Sequence, residues 1–352
     1  MTCEDGDVIV VVVPIEIYKR ALGLLGRYLH RTYRIAFSGK KAYFPLRSDA
    51  NQADVRDIAD RLNARMTYMR GELLPRRVRS MKINLLEKKF HIKLPKSVNC
   101  VGDILLLNAI PRESENRKKA VGDILRNNFG VRAVFLKSQA VSGEIRVARW
   151  ERISGWGDTF TLHSENGCVY AVDLSKVFFN PRLSTERLRV ARDVKDSEIV
   201  IDMFAGVGSF SILIAKLKKV KVFAIDINPS AVEFMKINKL LNSVDIAILE
   251  GDAREVIHRI SMSVDRIIMN YPERSIEFIQ DAIMKIKNEG VIYLYIFVRS
   301  REPLEIGRQI VFSKLLETGV EVKDCRMRIV EEVAPFKYIL CADIRLGKVM
   351  DL

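Results

Sequence analysis

The chain is predicted to be an α/β protein. Its C-terminal half is a doubly wound parallel sheet, preceded by an α+β domain and a small N-terminal α/β domain. Three observations carry this. Residues 195–300 alternate apolar strands with helices in a regular way, as a parallel sheet with crossover helices requires. One strand runs straight into a glycine-rich turn and a helix, Ile199-Val-Ile-Asp-Met-Phe-Ala-Gly-Val-Gly-Ser-Phe210. Residues 100–174, by contrast, are dominated by strands, with a hairpin turn at Glu165-Asn166-Gly167, the mark of a separate α+β unit.

In chain order, residues 8–13 form an apolar strand, 15–30 have helical periodicity, and 33–37 and 41–44 are strands around a Ser38-Gly39 turn. Residues 50–69 read as one polar-faced helix. A basic stretch follows, in which Arg70, Arg76, Arg77, Arg79, Lys82, Lys88, Lys89, Lys93 and Lys96 are opposed only by Glu72 and Glu87. It is a linker or a surface facing nucleic acid, and for any one charge a solvated helix face is an equal alternative. Residues 101–110 form an apolar strand, 113–129 a helix rich in Lys and Arg, 131–137 and 144–153 strands, and 159–163 with 169–174 the hairpin. In the sheet half the strands are 199–204, 222–227, 246–250, 266–269 and 291–297, with helices such as 210–216 and 230–241 between them. A helix over 303–317 and strands over 321–333 and 336–344, joined at Ala334-Pro335, complete the pattern. The expected domains are 1–70, 71–190 and 191–352.

The 352 residues are 48% hydrophobic, enough for two or three cores. No apolar run approaches the roughly 18 residues of a membrane span, and the acidic residues 1–7 are expected to carry no secretory or transit signal. Cys3, Cys100, Cys168, Cys325 and Cys341 lie far apart without a C-x-x-C, and the four histidines are not at ligand spacing. Neither a disulfide framework nor a metal site is expected, and the setting is a reducing, cytoplasmic one. Lys and Arg number 58 against 44 acids, a net charge of +14 that concentrates a polyanion. A generally basic proteome is the plain alternative.

The glycine-rich turn places Gly206 and Gly208 where backbone can approach a ligand. The third glycine of a dinucleotide fingerprint is replaced by Ser211, and Asp202 in the loop approach would repel a pyrophosphate but not a cationic amino acid. Asp226 ends the second strand, where a carboxylate can take both ribose hydroxyls, and Asp252 ends the third, where it can accept from an adenine amino group. Three acids at successive strand ends fit S-adenosylmethionine, which has an amino acid, a ribose and an adenine. For each Asp alone, a helix N-cap is the competing explanation. The next strand ends in Asn270-Tyr-Pro-Glu273, where a carboxamide and a rigid turn can face a planar base edge. An Asn-x-Pro turn with no catalytic role would look the same.

Just before the sheet half runs Lys176-Val-Phe-Phe-Asn-Pro-Arg-Leu-Ser-Thr-Glu-Arg-Leu-Arg-Val190, and upstream stands Ser142-Gly-Glu-Ile-Arg-Val147. With the Asp-x-Phe-Ala-Gly-x-Gly-x-Phe loop and the Asn-x-Pro turn in this order, nearly the whole chain resembles the archaeal and eukaryal type of tRNA (guanine-37 N1)-methyltransferase in its three-domain archaeal form. The resemblance implies a Rossmann-like class I methyltransferase domain, S-adenosylmethionine as methyl donor, and a first domain that grips the tRNA elbow. It also implies an anticodon-loop substrate. Apart from the resemblance, no membrane and no obligate protein partner are expected, and nothing in the sequence demands more than a monomer. Carried over residue by residue, the general base falls on Glu186 and the arginine facing guanine O6 on Arg146. Cofactor contacts fall on Arg187, on Asp202, Phe204, Ala205, Gly206 and Gly208 of the loop, on Asp226 with Ile227, on Asp252 with Ala253, and on Asn270. Phe178, Pro181, Arg182, Tyr271 and Pro272 are expected against the substrate.

Guanine N1 carries a proton at neutral pH, so its methylation needs a base, and charge moving onto O6 suits a guanidinium. From the residues alone, Glu186 could equally close a capping box with Ser184 or Thr185, and Arg146 could be a surface ion pair. Two departures stand out: Phe178-Phe179 where the family often has Tyr before Phe, and Tyr271 where it commonly has Leu. Some archaeal members also methylate the tricyclic wyosine intermediate at the same position. The rival readings are a methyltransferase acting on another RNA base such as guanine N2, a nicotinamide dehydrogenase, and a non-catalytic tRNA-binding protein.

Overall fold

The computed structural model describes residues 7–31, 33–70, 81–142 and 147–347. They form two compact units: Met1–Ser164 with Val169–Pro181, and Glu165–Cys168 with Arg182–Leu352.

In the first unit, β1 (Asp7–Pro14), α1 (Tyr18–Leu25), β2 (Ala36–Ser38), β3 (Lys41–Pro45), α2 (Gln52–Arg61) and β4 (Arg65–Arg70) build an antiparallel sheet of order β2-β3-β1-β4 with its helices. The single helix expected over 50–69 is corrected here. It starts where Asn51 Oδ1 accepts the N–H groups of Ala53 and Asp54, and it stops at Arg61. Asn63 then adopts a left-handed φ of 48°, which asparagine tolerates better than most residues. The chain turns back, and residues 65–70 pair antiparallel with β1, Val12 opposite Arg65 and Ile9 opposite Tyr68.

Further along are α3 (Ile83–Phe90), β5 (Asn99–Val101), β6 (Ile104–Leu107), α4 (Lys118–Phe129), β7 (Ala133–Ser142) and β8 (Val147–Gly155), with sheet order β5-β6-β7-β8. The strand expected over 101–110 is a hairpin instead. Gly102 turns it at φ 56°, and a Cβ there would lie 2.1 Å from Thr161 Oγ1. The described part of the basic stretch includes α3, whose Leu86 packs into a core with Leu94, Leu105, Val121 and Leu125. Fully buried Arg132 donates to Asp103 Oδ2 at 3.0 Å and to the Phe160 carbonyl at 2.9 Å. The turn after β2 is tied to the loop beyond β8 by Ser38 Oγ and the Gly39 N–H, which both donate to Asp158 at 3.0 Å. A hairpin, β9 (Phe160–Glu165) and β10 (Cys168–Asp173), follows, its turn grouping with the second unit.

The second unit contains α5 (Ser184–Asp193), β11 (Ile199–Asp202), α6 (Ser209–Leu217), β12 (Lys221–Asp226), α7 (Pro229–Asn242), β13 (Ala247–Glu250) and α8 (Ala253–Arg259). It continues with β14 (Val264–Met269), α9 (Ile279–Lys285), β15 (Ile286–Arg299), α10 (Pro303–Thr318), β16 (Val322–Ala334) and β17 (Lys337–Leu346). The sheet order is β13-β12-β11-β14-β15-β17-β16; β11 to β15 are parallel, and β17 is antiparallel to both its neighbours. This is the doubly wound, Rossmann-like sheet expected from the alternation. Ile201, Ile267, Ile292 and Ile344 are among its fully buried core residues. Strand order reverses between β11 and β14, and in open α/β sheets ligands bind in the crevice at the carboxyl ends of such strands. Among the described residues, no helix is long and apolar enough to cross a membrane.

Candidate active site

Asp202 ends β11 and is fully buried. Its Oδ2 accepts from the Ser211 hydroxyl at 2.8 Å, whereas Oδ1 has no hydrogen-bond partner among the described residues. Burial pushes this carboxyl up to about 7, against the Ser211 hydrogen bond and with the charge of Asp226 adding to the rise. The loop beyond is pinned between neighbouring strands: the Met203 N–H donates to the Ile268 carbonyl at 3.0 Å and the Ala205 N–H to the Ile225 carbonyl at 2.9 Å. Gly206 and Gly208 then take left-handed φ values of 56° and 82°. A Cβ on Gly208 would stand 2.8 Å from Met235 Cγ, so backbone conformation and space both select glycine here.

Asp226 closes this loop from the end of β12. Its two oxygens accept the Gly206 N–H at 2.6 Å and the Asn228 N–H at 2.9 Å. Each oxygen retains a lone pair for a further donor such as a hydroxyl. Burial raises its carboxyl pKa. Ile227, next in sequence, is exposed. Asp252 caps α8 by accepting the Arg254 N–H at 2.8 Å, so the N-cap alternative is realised at this position; Ala253 beside it is buried. A buried carboxylate oxygen without a partner, a glycine loop, and carboxylates at or just past the next two strand ends fit the ammonium, ribose and adenine of S-adenosylmethionine.

Asn270 follows directly on β14. Its turn is clamped to β15, because the Phe297 N–H donates to the Pro272 carbonyl at 3.0 Å and the Tyr271 carbonyl accepts the N–H groups of Arg274 and Ser275. The Tyr271 ring meets Phe204 edge-on at 5.3 Å, and Phe204 in turn meets Phe278 at 5.0 Å. The aromatic departure from the family's Leu thus packs against the glycine-rich loop.

Glu186 lies in the first turn of α5, whose start carries no side-chain cap hydrogen bond, so a capping box does not form. The carboxylate turns to the sheet instead. Arg189 donates Nε to Oε2 at 2.9 Å and Nη2 to Oε1 at 2.7 Å, while the hydroxyl of fully buried Tyr295 donates to Oε1 at 2.8 Å. Burial alone would raise this carboxyl, but the hydrogen bonds and charge of Arg189, helped by Tyr295 and Arg328, hold it below the usual range. Tyr295 follows Leu294, which pairs with Met269, so Glu186 and Asn270 stand at the same end of the sheet. The Phe210 ring, from the start of α6 behind the glycine loop, lies 6.0 Å from that of Tyr295.

The structure therefore gathers Glu186, Asp202, Phe204, Ala205, Gly206, Gly208, Asp226, Asn270, Tyr271 and Pro272 in the second unit. Arg187 is buried in a two-point ion pair with Glu165, at 2.5 and 2.7 Å. Arg182 pairs with Glu331 at 3.3 Å. Phe178 and Pro181 belong to the first unit; the Phe178 side chain is exposed, and Phe179 packs on His163 and Tyr170. Arg146 lies outside the described residues. Sequence reasoning missed the residues around Glu186: Tyr295, Arg189, Arg328 and Asp343. The three-residue step from Glu186 to Arg189 on a helix, and the alternation that puts Tyr293 and Tyr295 on one face of a strand, were the available signals.

Residues 161–325 match the TRM5/TYW2 methyltransferase domain, and residues 79–159 match the TYW2 N-terminal domain. The chain is 34% identical to the tRNA (guanine(37)-N(1))-methyltransferase Trm5b of Pyrococcus abyssi, over 94% of this chain and 96% of that one. It is also 34% identical to the tRNA 4-demethylwyosine(37)-methyltransferase Taw21 of Saccharolobus solfataricus, over 71% of this chain and 94% of that one. Its structure is similar to that of aTrm5 in a complex with tRNALeu, with a TM-score of 0.66 at 29% identity, over 96% of this chain and all of that one. It is similar as well to Methanocaldococcus jannaschii Trm5 in complex with adenosine, with a TM-score of 0.63 at 29% identity, over 97% of this chain and all of that one. Likeness at this level along nearly the full length of both chains settles the kinship: the chain belongs to the TRM5/TYW2 methyltransferase family.

Proposed function

We propose that this enzyme transfers the methyl group of S-adenosylmethionine to N1 of guanosine 37 in tRNA. The observation that carries the reading is Glu186: a carboxylate held ionised at the carboxyl end of the sheet, at the same end as Asn270 and the glycine-rich loop. When bound, S-adenosylmethionine supplies an electrophilic methyl group on a sulfonium. Asp202 takes its ammonium, Asp226 its ribose hydroxyls, and Asp252 with Ala253 its adenine, with Phe204, Ala205, Gly206, Gly208, Ile227 and Arg187 around them. The N1 proton of guanine passes to Glu186 as the new N–C bond forms, and Arg146 stabilises the charge that moves onto O6. Asn270 orients the ring in the turn made rigid by Pro272, with Phe178, Pro181, Arg182 and Tyr271 against the extracted base. The basic segments hold the anticodon loop and elbow of the tRNA through phosphate and shape contacts, in keeping with the net charge of +14. The domain scheme 1–70, 71–190 and 191–352 divides these tasks into elbow binding, acceptor-site residues and the cofactor site.

The test uses purified protein, labelled S-adenosylmethionine and two tRNA transcripts that differ only in guanosine or adenosine at position 37. N1-methylguanosine from the first transcript alone is the expected result. No product from either, with cofactor binding intact, would overturn the reading. The likeness to the Saccharolobus enzyme favours a second acceptor, the 4-demethylwyosine built on the same nucleoside. Labelled product from tRNA carrying that base would establish it.

A further inference from the structure

Glu186 is one end of a chain of alternating charges. Beyond the two-point contact with Glu186, Arg189 turns its other edge to Asp343, donating from Nη1 to Oδ2 at 2.9 Å and from Nη2 to Oδ1 at 3.2 Å. Asp343 is grasped again by Arg328, at 3.1 and 2.5 Å. The order is carboxylate, guanidinium, carboxylate, guanidinium, each link made by two hydrogen bonds, which fix orientation as well as distance. The groups facing Glu186 are Arg189 on its own helix, Tyr295 on β15, Arg328 on β16 at 3.9 Å and Cys341 on β17, with Asp343 of β17 behind Arg189. The inner end is nearly dry, with the Glu186 side chain 9% exposed, while Arg328 at the outer end is 31% exposed. Arg189, Arg328 and Asp343 also line a cleft of about 490 Å³, so the outer half of the chain can be solvated without wetting the inner carboxylate.

We infer that Arg189, anchored by Asp343 and Arg328, is the positioning residue that orients the Glu186 carboxylate for removal of the N1 proton. The inference rests on Glu186 being the base of the proposed reaction. In this role Arg189 acts on the Glu186 carboxylate and not on the guanine or the cofactor. It acts by holding both carboxylate oxygens, while Tyr295 occupies a further lone pair of Oε1. Oε2 accepts only the Arg189 Nε–H among these donors and keeps a lone pair, which makes it the oxygen that receives the proton. Once protonated, Glu186 leaves Arg189 facing Asp343, so the guanidinium is not stranded without a counter-charge when the base is neutral.

The test compares single-turnover methyl transfer to the guanosine-37 transcript from pH 5.5 to 9 for the wild type, Arg189→Gln, Arg189→Lys and Glu186→Gln, with S-adenosylmethionine binding measured by calorimetry on each. Without Arg189, Glu186 is a buried carboxylate beside a tyrosine hydroxyl, so its acid limb moves to higher pH. Arg189→Gln is expected to lose about 100-fold against wild type at pH 6 and about 10-fold or less at pH 9. Arg189→Lys restores the charge but not the fork, so its acid limb returns toward wild type while its plateau stays low. A loss in Arg189→Gln that is the same at every pH, or no loss at all, would overturn the inference while a dead Glu186→Gln left the base assignment standing. Full activity in Glu186→Gln would instead remove the base assignment itself. If Arg189→Gln does not bind cofactor, Asp343→Asn provides the second reading: its acid limb should move the same way by a smaller step, and an unmoved limb counts against the anchor.

Discussion

Two buried carboxylates stand at the same end of one sheet, and the protein treats them in opposite ways. Asp202, fully buried, has one oxygen with no hydrogen-bond partner, and its pKa is driven up to about 7. Glu186, nearly as buried, is surrounded by donors and driven below the usual carboxylate range. Desolvation acts the same way on both; what differs is the supply of cations and N–H or O–H groups. A carboxylate left short of donors is matched to a ligand that brings its own positive charge. One proposed to take a proton from a bound substrate is oriented before that substrate arrives.

The sharpest way to break this comparison is Glu186→Gln. Removing a working general base should lower single-turnover methyl transfer by about 10²- to 10⁴-fold with cofactor affinity unchanged. Loss of affinity instead would make Glu186 part of the cofactor site and erase the contrast.

Next in size is Asp202→Asn. An ionised acceptor facing an ammonium is worth about 1.5–3 kcal/mol, so S-adenosylmethionine affinity, read by calorimetry, should fall about 10- to 100-fold. The same change should raise the stability of the ligand-free protein. The folded-state pKa of Asp202 lies above its unfolded value, so the folded state binds more protons between them. Stability from this group therefore falls as pH rises from about 4 to about 7. The melting-temperature advantage of Asp202→Asn should grow across that window and level off above it. Glu186 has the opposite sign: its contribution is present above the unfolded value and is lost as pH falls through its lowered folded pKa. A stability difference that does not vary with pH would mean that Asp202 is not the strained partner.

The smallest effect is expected at Tyr271→Leu. Its edge-on contact with Phe204 is worth about 0.5–1.5 kcal/mol, so the melting temperature should drop by a few degrees, and methyl transfer should fall by about threefold to tenfold as the ring is lost from the proposed acceptor site. Unchanged methyl transfer would show that the ring serves the glycine-rich loop and not the substrate.

The cofactor side of this contrast was legible in the sequence and much of the Glu186 side was not, for a physical reason. Asp202, Gly206 and Gly208 lie within one strand–turn–helix step, so local pattern reveals both the residues and the turn they build. Asp226 is also visible because each crossover helix brings the next strand end alongside. The donors to Glu186 come from places with no local link. Tyr295 looks like an ordinary core residue of an apolar strand, and Asp343 and Arg328 face it only because β17 inserts between β15 and β16. Errors in the fold have the same origin at smaller scale. One asparagine at positive φ converts an expected long helix into a helix and a strand, and one glycine folds an expected strand into a hairpin.

The insertion of β17 between β15 and β16 also sets an order of events during synthesis. β17 is later in the chain than every other strand of its sheet, yet both β15 and β16 are bonded to it rather than to each other. On the ribosome, the cofactor loop and the strands β11 to β15 emerge first and can assemble while β16 has no place to dock. Only when β17 has left the exit tunnel do Asp343 and Arg328 close on Arg189. Arg189 thus gains its anchor from the last strand of the sheet to be made.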